Sequence, residues 1–464
     1  MSEAIGEMIL PGVYIDVRSE GLIGVGGIST GNIGIVGTAS KGPVGQVQIL
    51  GSYSEALDTF GAYDRFSSSG SPLTLTRALE QVFAGGGSTV YAVRIANGDP
   101  GTMTWLVSAA GAPGAELFRI KALSPGSWAN SVSLSYAAGQ LTATLGRIKE
   151  TYAGTTAAEL AAAITAGSSN LILATAPAAA DASTAVAAVE AETPNAGTDG
   201  ASVTTIEAKA GLDLLATQAV NIVTIAGMDA KIAGATLLAH LEATENDGRE
   251  RMGVIGASSD VISKIATDDS ISSARVILVA PGILTDDAAR TEANKQVSLP
   301  AAYAAALIAG RLATLAPHVS LTNKDVAADG LTTEYTRAQQ KQLLDQRVLV
   351  LQKHLGIRVL KGITTDTGAF RQISVRRIVD YAKAGVRIGS NPYIGRLNNS
   401  RVRAALKATL DGFLSGMVLD EMLVAYQLDV SATRAQEING IALVTMTLQP
   451  TFSIDFVKVI MSLA

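Results

Sequence analysis

The chain has 464 residues, no cysteine, 48% hydrophobic and 17% charged residues, and a net charge of −5. That balance excludes global disorder, and the length predicts about three domains, each with its own core. The lack of cysteine excludes disulfides, thiolate metal sites and cysteine nucleophiles; the three histidines, His240, His318 and His354, are scattered and form no HExxH helix, so neither a metal nor another cofactor is expected.

In chain order, MSEAIGEMILPGVYIDV carries acidic residues and no basic leader, so no secretory signal is expected. Residues 1–20 read as a linking arm around the β-prone PGVYIDV at 11–17. From 31 to 95, GNIGIVG reads as a strand, SEALDTFG and LTLTRALEQVFAG as helices, and STVYAVRI as a second strand. NGDPG then opens a different stretch, β-alternating at SVSLSY and alanine-rich before ETPNAGTDGAS, which predicts an inserted β-rich domain over 98–206. VNIVTIAG, an amphipathic stretch over 229–245, RMGVIG, ARVILVAPG and the small-residue helix PAAYAAALIAGRLA resume the earlier pattern. Residues 21–97 and 207–340 together therefore predict a partly parallel sheet covered by helices. The longest apolar run, at 301–309, is too short to span a bilayer, so no membrane partner is expected. Residues 341–464 predict an α+β domain: a strand pair around LGIRVLKGITT, helices from Val375 to Arg387 and from Asn399 to Met417, then strands at Ile441 to Leu448 and Phe452 to Ile460, divided by Pro450. The fold class expected is thus multidomain, α/β in the middle and α+β at the end.

GISTG at 27–31 matches the nucleophile-elbow string with Ser29 as nucleophile, but strand-like NIGIVG follows it where the elbow needs a helix. An α/β hydrolase using Ser29 with His240 or His318 stands only as an alternative. The glycine runs near residues 24–37 fit no GxGxxG opening a helix, and no GK[ST] occurs, so they read as tight turns rather than a nucleotide site. Charge is uneven: from Arg337 onward there are 17 Lys and Arg against 9 Asp and Glu, while the rest has 19 against 32. A basic final quarter on an acidic body suggests an anionic neighbour. Within it, Arg376, Lys383 and Arg387 fall at i, i+7 and i+11 of one helix face. The arm and the closing strands lack an obvious local partner, a hazard for a monomer and a linkage in a polymer. The expected linkage residues are Val13, Tyr14, Ile15 and Val17 in the arm; Ile441, Leu443, Val444, Met446 and Leu448 in the first closing strand; and Phe452, Ile454 and Phe456 in the second.

Taken in order, PGVYIDV, GNIGIVGTASKGPVG, ALSPGSWANSVSLSY, VSLTNKDV, KGITTDTGAFRQISVRRIVDY and NPYIGRLNN resemble contractile tail sheath proteins along nearly the whole chain. The resemblance implies a structural protein and not an enzyme, one that forms a helical homopolymer of six-fold rings around an inner tail tube. It further implies contraction that drives the tube through a target envelope without a nucleotide, and terminal strands exchanged between subunits. The inserted domain would face outward and the last domain, with Arg376, Lys383 and Arg387, would face the tube. Further implied partners are baseplate and tail terminator proteins, with no nucleic acid. The implied location is a virion tail or injection particle assembled in the bacterial host cytoplasm, and phage tail, tailocin and extracellular injection system stay open. Another self-assembling tube or surface-layer subunit is the remaining alternative.

Overall fold

Short β-branched runs bounded by glycine, alternating with amphipathic helices, build the centre of the chain. The computed structural model describes residues 27–67, 72–109, 112–191 and 196–461, so Val13, Tyr14, Ile15 and Val17 lie outside the described residues. Strands β1 (Ile33–Gly37) and β2 (Val47–Leu50), helices α1 (Tyr53–Phe60) and α2 (Leu75–Ala84), and β3 (Val90–Arg94) come first. Next are β4 (Thr104–Ala109), β5 (Ala112–Ala122), β6 (Ser133–Ala137), β7 (Gln140–Leu145), β8 (Ile148–Ala153), α3 (Ala157–Ala166), β9 (Ile172–Ala174) and β10 (Val186–Ala191). The alternating pattern resumes with α4 (Thr205–Leu215), β11 (Ile222–Ile225), α5 (Ala230–Asn246), β12 (Met252–Gly256), α6 (Ile262–Asp268) and β13 (Val276–Ala280). After β14 (Ile283–Asp286), β15 (Gln296–Leu299), α7 (Ala301–Ala313) and β16 (Gly330–Leu331) come α8 (Arg337–Asp345), β17 (Val348–Lys353) and β18 (Ile357–Val359). The chain closes with α9 (Ile373–Ser390), α10 (Ser400–Leu419), β19 (Leu423–Ser431), α11 (Arg434–Ile438) and β20 (Leu443–Pro450). Two units hold these elements: Ser29–Arg376 with Ile454 onward, and Arg377–Ser453.

The first unit is organised by an eight-stranded sheet of order β18-β17-β13-β12-β11-β1-β3-β2, parallel from β17 to β3 with an antiparallel strand at each edge. Its central strands are buried on both faces, as a sheet covered by crossover helices requires. Along β13, Ile277 and Val279 join the cluster under α2 and α7, while Val276 and Leu278 join the cluster under α4 and α5. Thr-x-x-Glu and Thr-x-x-Gln boxes start several helices, among them Thr204 with Glu207 and Thr336 with Gln339, each box satisfying backbone donors in both directions. Helix α7 is almost wholly buried and sits very close to its neighbours. A Cβ at Gly310 would overlap the Val82 carbonyl, and one at Gly85 the Leu307 carbonyl, so α2 and α7 meet through backbone. The expected boundary at 341 falls inside α8, and β17 and β18 belong to this sheet: Leu278 to Ala280 pair with Val348 to Val350. A break in sequence character does not mark a break in a sheet that receives its β17–β18 edge last.

The elements from β4 to β10 have a core of their own around Trp105, Phe118, Ile120, Trp128, Leu141 and Leu160, under sheets of order β10-β4-β5-β9 and β6-β7-β8. Their two ends are zipped together: Asn97 N donates to Gly200 O at 2.7 Å, and Gly101 N to Thr198 Oγ1 at 2.6 Å. The turn Pro-Gly-Ser-Trp-Ala-Asn at 125–130 clasps the exit. Ser127 donates through N and Oγ to the Asp199 carboxylate at 2.6 and 2.7 Å, and Asn130 exchanges two bonds with the Gly197 backbone. Arg94, fully buried at the end of β3, donates to the carbonyls of Gly42 and Pro125, both at 2.7 Å, and Asp199 at 3.4 Å. Burial pushes its guanidinium down to about 10, and these carbonyls stand where a counter-ion would.

In the second unit, Ile378, Ala382, Leu414, Met417, Met422 and Leu423 form one core, against which Tyr426, Leu428, Met446 and Leu448 pack. Gly385 is required there because a Cβ would enter the Phe413 ring, which stacks on Tyr381 with centroids 5.8 Å apart.

Candidate assembly surface

Strands β19 and β20 pair antiparallel from Leu423↔Pro450 to Ser431↔Leu443. Alternation puts Tyr426, Leu428 and Val430 with their partners Leu448, Met446 and Val444 on the half-buried face, while Leu443, Thr445 and Thr447 face out. The ladder is fixed at its ends. Tyr426 Oη lies 2.7 Å from Asp411 Oδ1 and 2.8 Å from Ser415 Oγ, and in the connection Glu437 accepts from Arg403 and Arg434, each at 3.0 Å. Among the described residues this sheet has two strands, and none of those residues adds a third strand at either edge. Such a ribbon is marginal by itself and gains from further strands.

Ile441 stands in the turn before β20 rather than in the strand, its backbone tied to Gln436 and Asn398. No strand forms from Phe452 to Ile460 where one is expected: among the described residues this segment has no ladder partner, and Phe452, Ile454, Phe456, Val457, Val459 and Ile460 are all exposed. β-propensity alone does not make a strand, because a ladder partner is needed and the described residues supply none there. Within the segment the one acidic side chain is held by named partners. Asp455, 10% exposed, accepts from Lys361 Nζ at 3.2 Å, Thr322 Oγ1 at 3.3 Å and Gln372 Nε2 at 3.3 Å.

The basic face expected on α9 is corrected at its first member. Arg376 is 7% exposed, lies over the Phe370 ring at 4.7 Å, and donates to Glu245 Oε1 at 3.3 Å; Arg275 engages the same carboxylate. It belongs to the sheet-bearing unit, whereas Lys383 and Arg387 belong to the other. Helical spacing places residues on one face but cannot say which turns of a helix are covered. The charge excess also moves: residues 337–376 hold eight basic against two acidic residues, and 377–453 eight against six. Most of the positive balance therefore belongs to α8, β17, β18 and the chain leading to α9.

The residues of the hydrolase alternative are not brought together. Ser29 Oγ donates to Asn221 Oδ1 at 3.2 Å, and His240, buried on α5, has its Nε2 3.0 Å from Arg251 Nη1. Arg251 also donates to the carbonyls of Leu215, Ala216 and Gln218 at 2.9 Å, so its own donors fix the imidazole as an acceptor at Nε2. Among the described residues no cluster of three or more metal-ligating side chains occurs, and no helix is long and apolar enough to cross a membrane.

Compared with known proteins, residues 201–365 match the family of the phage tail sheath protein central domain, and residues 365–463 that of the phage tail sheath C-terminal domain. The tail sheath protein of Bacillus phage SP01 is 26% identical over 226 residues, 46% of this chain and 39% of that protein. That of Mycobacterium phage Bxz1 is 24% identical over 258 residues, 52% of this chain and 43% of that protein. The chain thus spans less than half the length of the curated relatives it matches. Among solved structures, the sheath tail protein from Desulfitobacterium hafniense superposes with a TM-score of 0.66 at 18% identity, covering 95% of this chain and all of the other. The contracted helical sheath of the anti-feeding prophage gives 0.58 at 15%, covering 98% and 99%. At these identities the likeness is one of fold, and it extends over both units.

Proposed function

This chain belongs to the phage tail sheath family, and from that premise we propose that it is the structural subunit of a contractile sheath. Copies polymerise as six-fold rings around an inner tail tube and, on contraction, drive the tube through a target envelope. The observation that carries this reading is the pairing of opposites in the closing segment: a ribbon that has two strands among the described residues, and an exposed apolar run over 452–461 with no ladder partner among them. Strand addition between copies satisfies both, the arm around Val13 to Val17 and residues 452–461 serving as donors and β19–β20 as acceptor. Each backbone hydrogen bond contributes only about 1 kcal/mol net, but the ladder repeats at every subunit and fixes register.

The role is mechanical, not catalytic, and needs no nucleotide. Residues 98–206 face outward, and Lys383 and Arg387 face the tube through contacts that salt screens and that let the sheath slide. Baseplate and terminator proteins bound the polymer, which forms in the host cytoplasm and acts as part of a virion tail or injection particle. Co-expression with a tail tube protein, followed by electron microscopy, tests the reading: sheaths of two lengths, extended and contracted, are expected. Hollow polymers of one fixed length under all conditions would instead identify a tube or surface-layer subunit. Deleting residues 1–17 should leave a folded chain that builds no connected sheath.

A further inference from the structure

We propose that Asp455 is the anchoring residue of the C-terminal linking segment: it fixes the root of that segment to the sheet-bearing unit, so that residues 456–461 leave it as a strand for the ribbon edge of a second copy. This rests on the linkage reading above and assigns one residue to it. From Phe452 to Met461 the apolar side chains are in water, Phe456 83% exposed, while the one acidic side chain is buried. A terminus that closes its own core does the reverse, since burying an ion costs free energy unless it is paired and burying phenylalanine gains it. Apolar residues held out in a row are surface kept for another molecule.

The anchor is built from separate stretches of the same unit. Thr322 lies in the strip whose backbone covers the edge of β18, Asn323 N donating to Val359 O and Val326 N to Ile357 O. Lys361 and Gln372 lie in the connection from β18 to α9. Thr322 Oγ1 also accepts from Gly362 N at 3.1 Å, which orients the hydroxyl toward the carboxylate. Lys361 Nζ sits 4.9 Å from the Phe456 ring, so one ammonium holds the carboxylate and steadies the first residue beyond it. Six extended residues span about 20 Å, enough to run along about three-quarters of the eight-residue β20, so the partner that fits is a second copy of this chain. Load entering through the inserted strand then passes at Asp455 into the sheet-bearing unit and does not run on along the backbone through Ser453.

The test uses the full chain co-expressed with its tube protein, measuring the fraction of subunits in sedimenting sheath. Asp455→Ala and Lys361→Asp should each fold and melt like the parent, yet lower that fraction by about tenfold, and the swap Asp455→Lys with Lys361→Asp should recover most of it, because the two residues are coupled. Asp455→Asn, similar in shape and uncharged, gives the same readout should Asp455→Ala fail to fold. Parent-like sheaths from Asp455→Ala or Asp455→Asn, with none from a deletion of 456–464, would overturn the anchor and leave the linkage standing. Normal sheaths from that deletion would overturn the linkage reading itself. A swap as defective as the single variants would overturn the ion pair as the anchoring contact.

Discussion

Replacing His240 by glutamine tests how strongly its surroundings govern its charge. Burial and the Arg251 guanidinium together push the imidazole down from 6.5 to about 4. Between those values the unfolded chain takes up a proton that the folded chain refuses. The stability due to a neutral His240 is therefore complete above pH 6.5 and is lost as pH falls toward 4. At about 1.4 kcal/mol per pH unit, the displacement is worth about 3 kcal/mol. Carbon-13 labelling of the imidazoles gives a direct assay, because the sequence holds three histidines and the signal that vanishes in His240→Gln identifies this one. It should stay neutral down to about pH 4, and denaturant unfolding of the parent should lose about 3 kcal/mol more than that of His240→Gln between pH 7 and 4. A midpoint near 6.5, or equal acid sensitivity of the two chains, would refute the argument.

Gly385→Ala should displace Phe413 from Tyr381 and cost about 1–3 kcal/mol, read as faster amide exchange along α10. Arg376→Ala should cost about 1–3 kcal/mol in thermal or denaturant unfolding, the Glu245 carboxylate being one-third exposed and still held by Arg275. Lys383→Glu with Arg387→Glu should instead leave melting within about 1 kcal/mol and impair tube-templated assembly in a salt-dependent way, measured by sedimentation. Replacing residues 102–197 by a short Gly/Ser linker should leave the eight-stranded sheet folded, as followed by circular dichroism. Because Arg94 then loses the Pro125 carbonyl, adding Arg94→Met should raise the melting temperature of the excised chain.

The α/β middle was legible in the sequence because GNIGIVG, VNIVTIAG, RMGVIG and ARVILVAPG are short, β-branched apolar runs that end at glycine, the pattern of strands covered on both faces. The half-buried face of β20 at Val444, Met446 and Leu448 was legible for the same reason, as period-two alternation. What was not legible depended on partners distant in sequence. Arg376 and Lys383 look alike on a helical wheel, and only Glu245, 131 residues away, separates them. Asp455 looked like an ordinary polar residue in a β-prone run; its partners Thr322, Lys361 and Gln372 are 133, 94 and 83 positions upstream, and no local pattern announces them. The run from Phe452 to Ile460 had the propensity for a strand, but propensity does not supply a ladder partner, and the described residues hold none for it.

The seat of α7 has a mechanical consequence. Where α2 and α7 touch backbone to backbone at Gly85 and Gly310, no long side chain lies between them to bend, rotate or change rotamer. Such a joint has little compliance, much as two plates bolted face to face differ from two plates separated by springs. A body built this way stores little work when pushed and hands displacement on nearly undiminished. Deformation under load is thereby left to the thin segments that leave the body, and variants that swell the Gly85–Gly310 contact should soften the whole part before they unfold it.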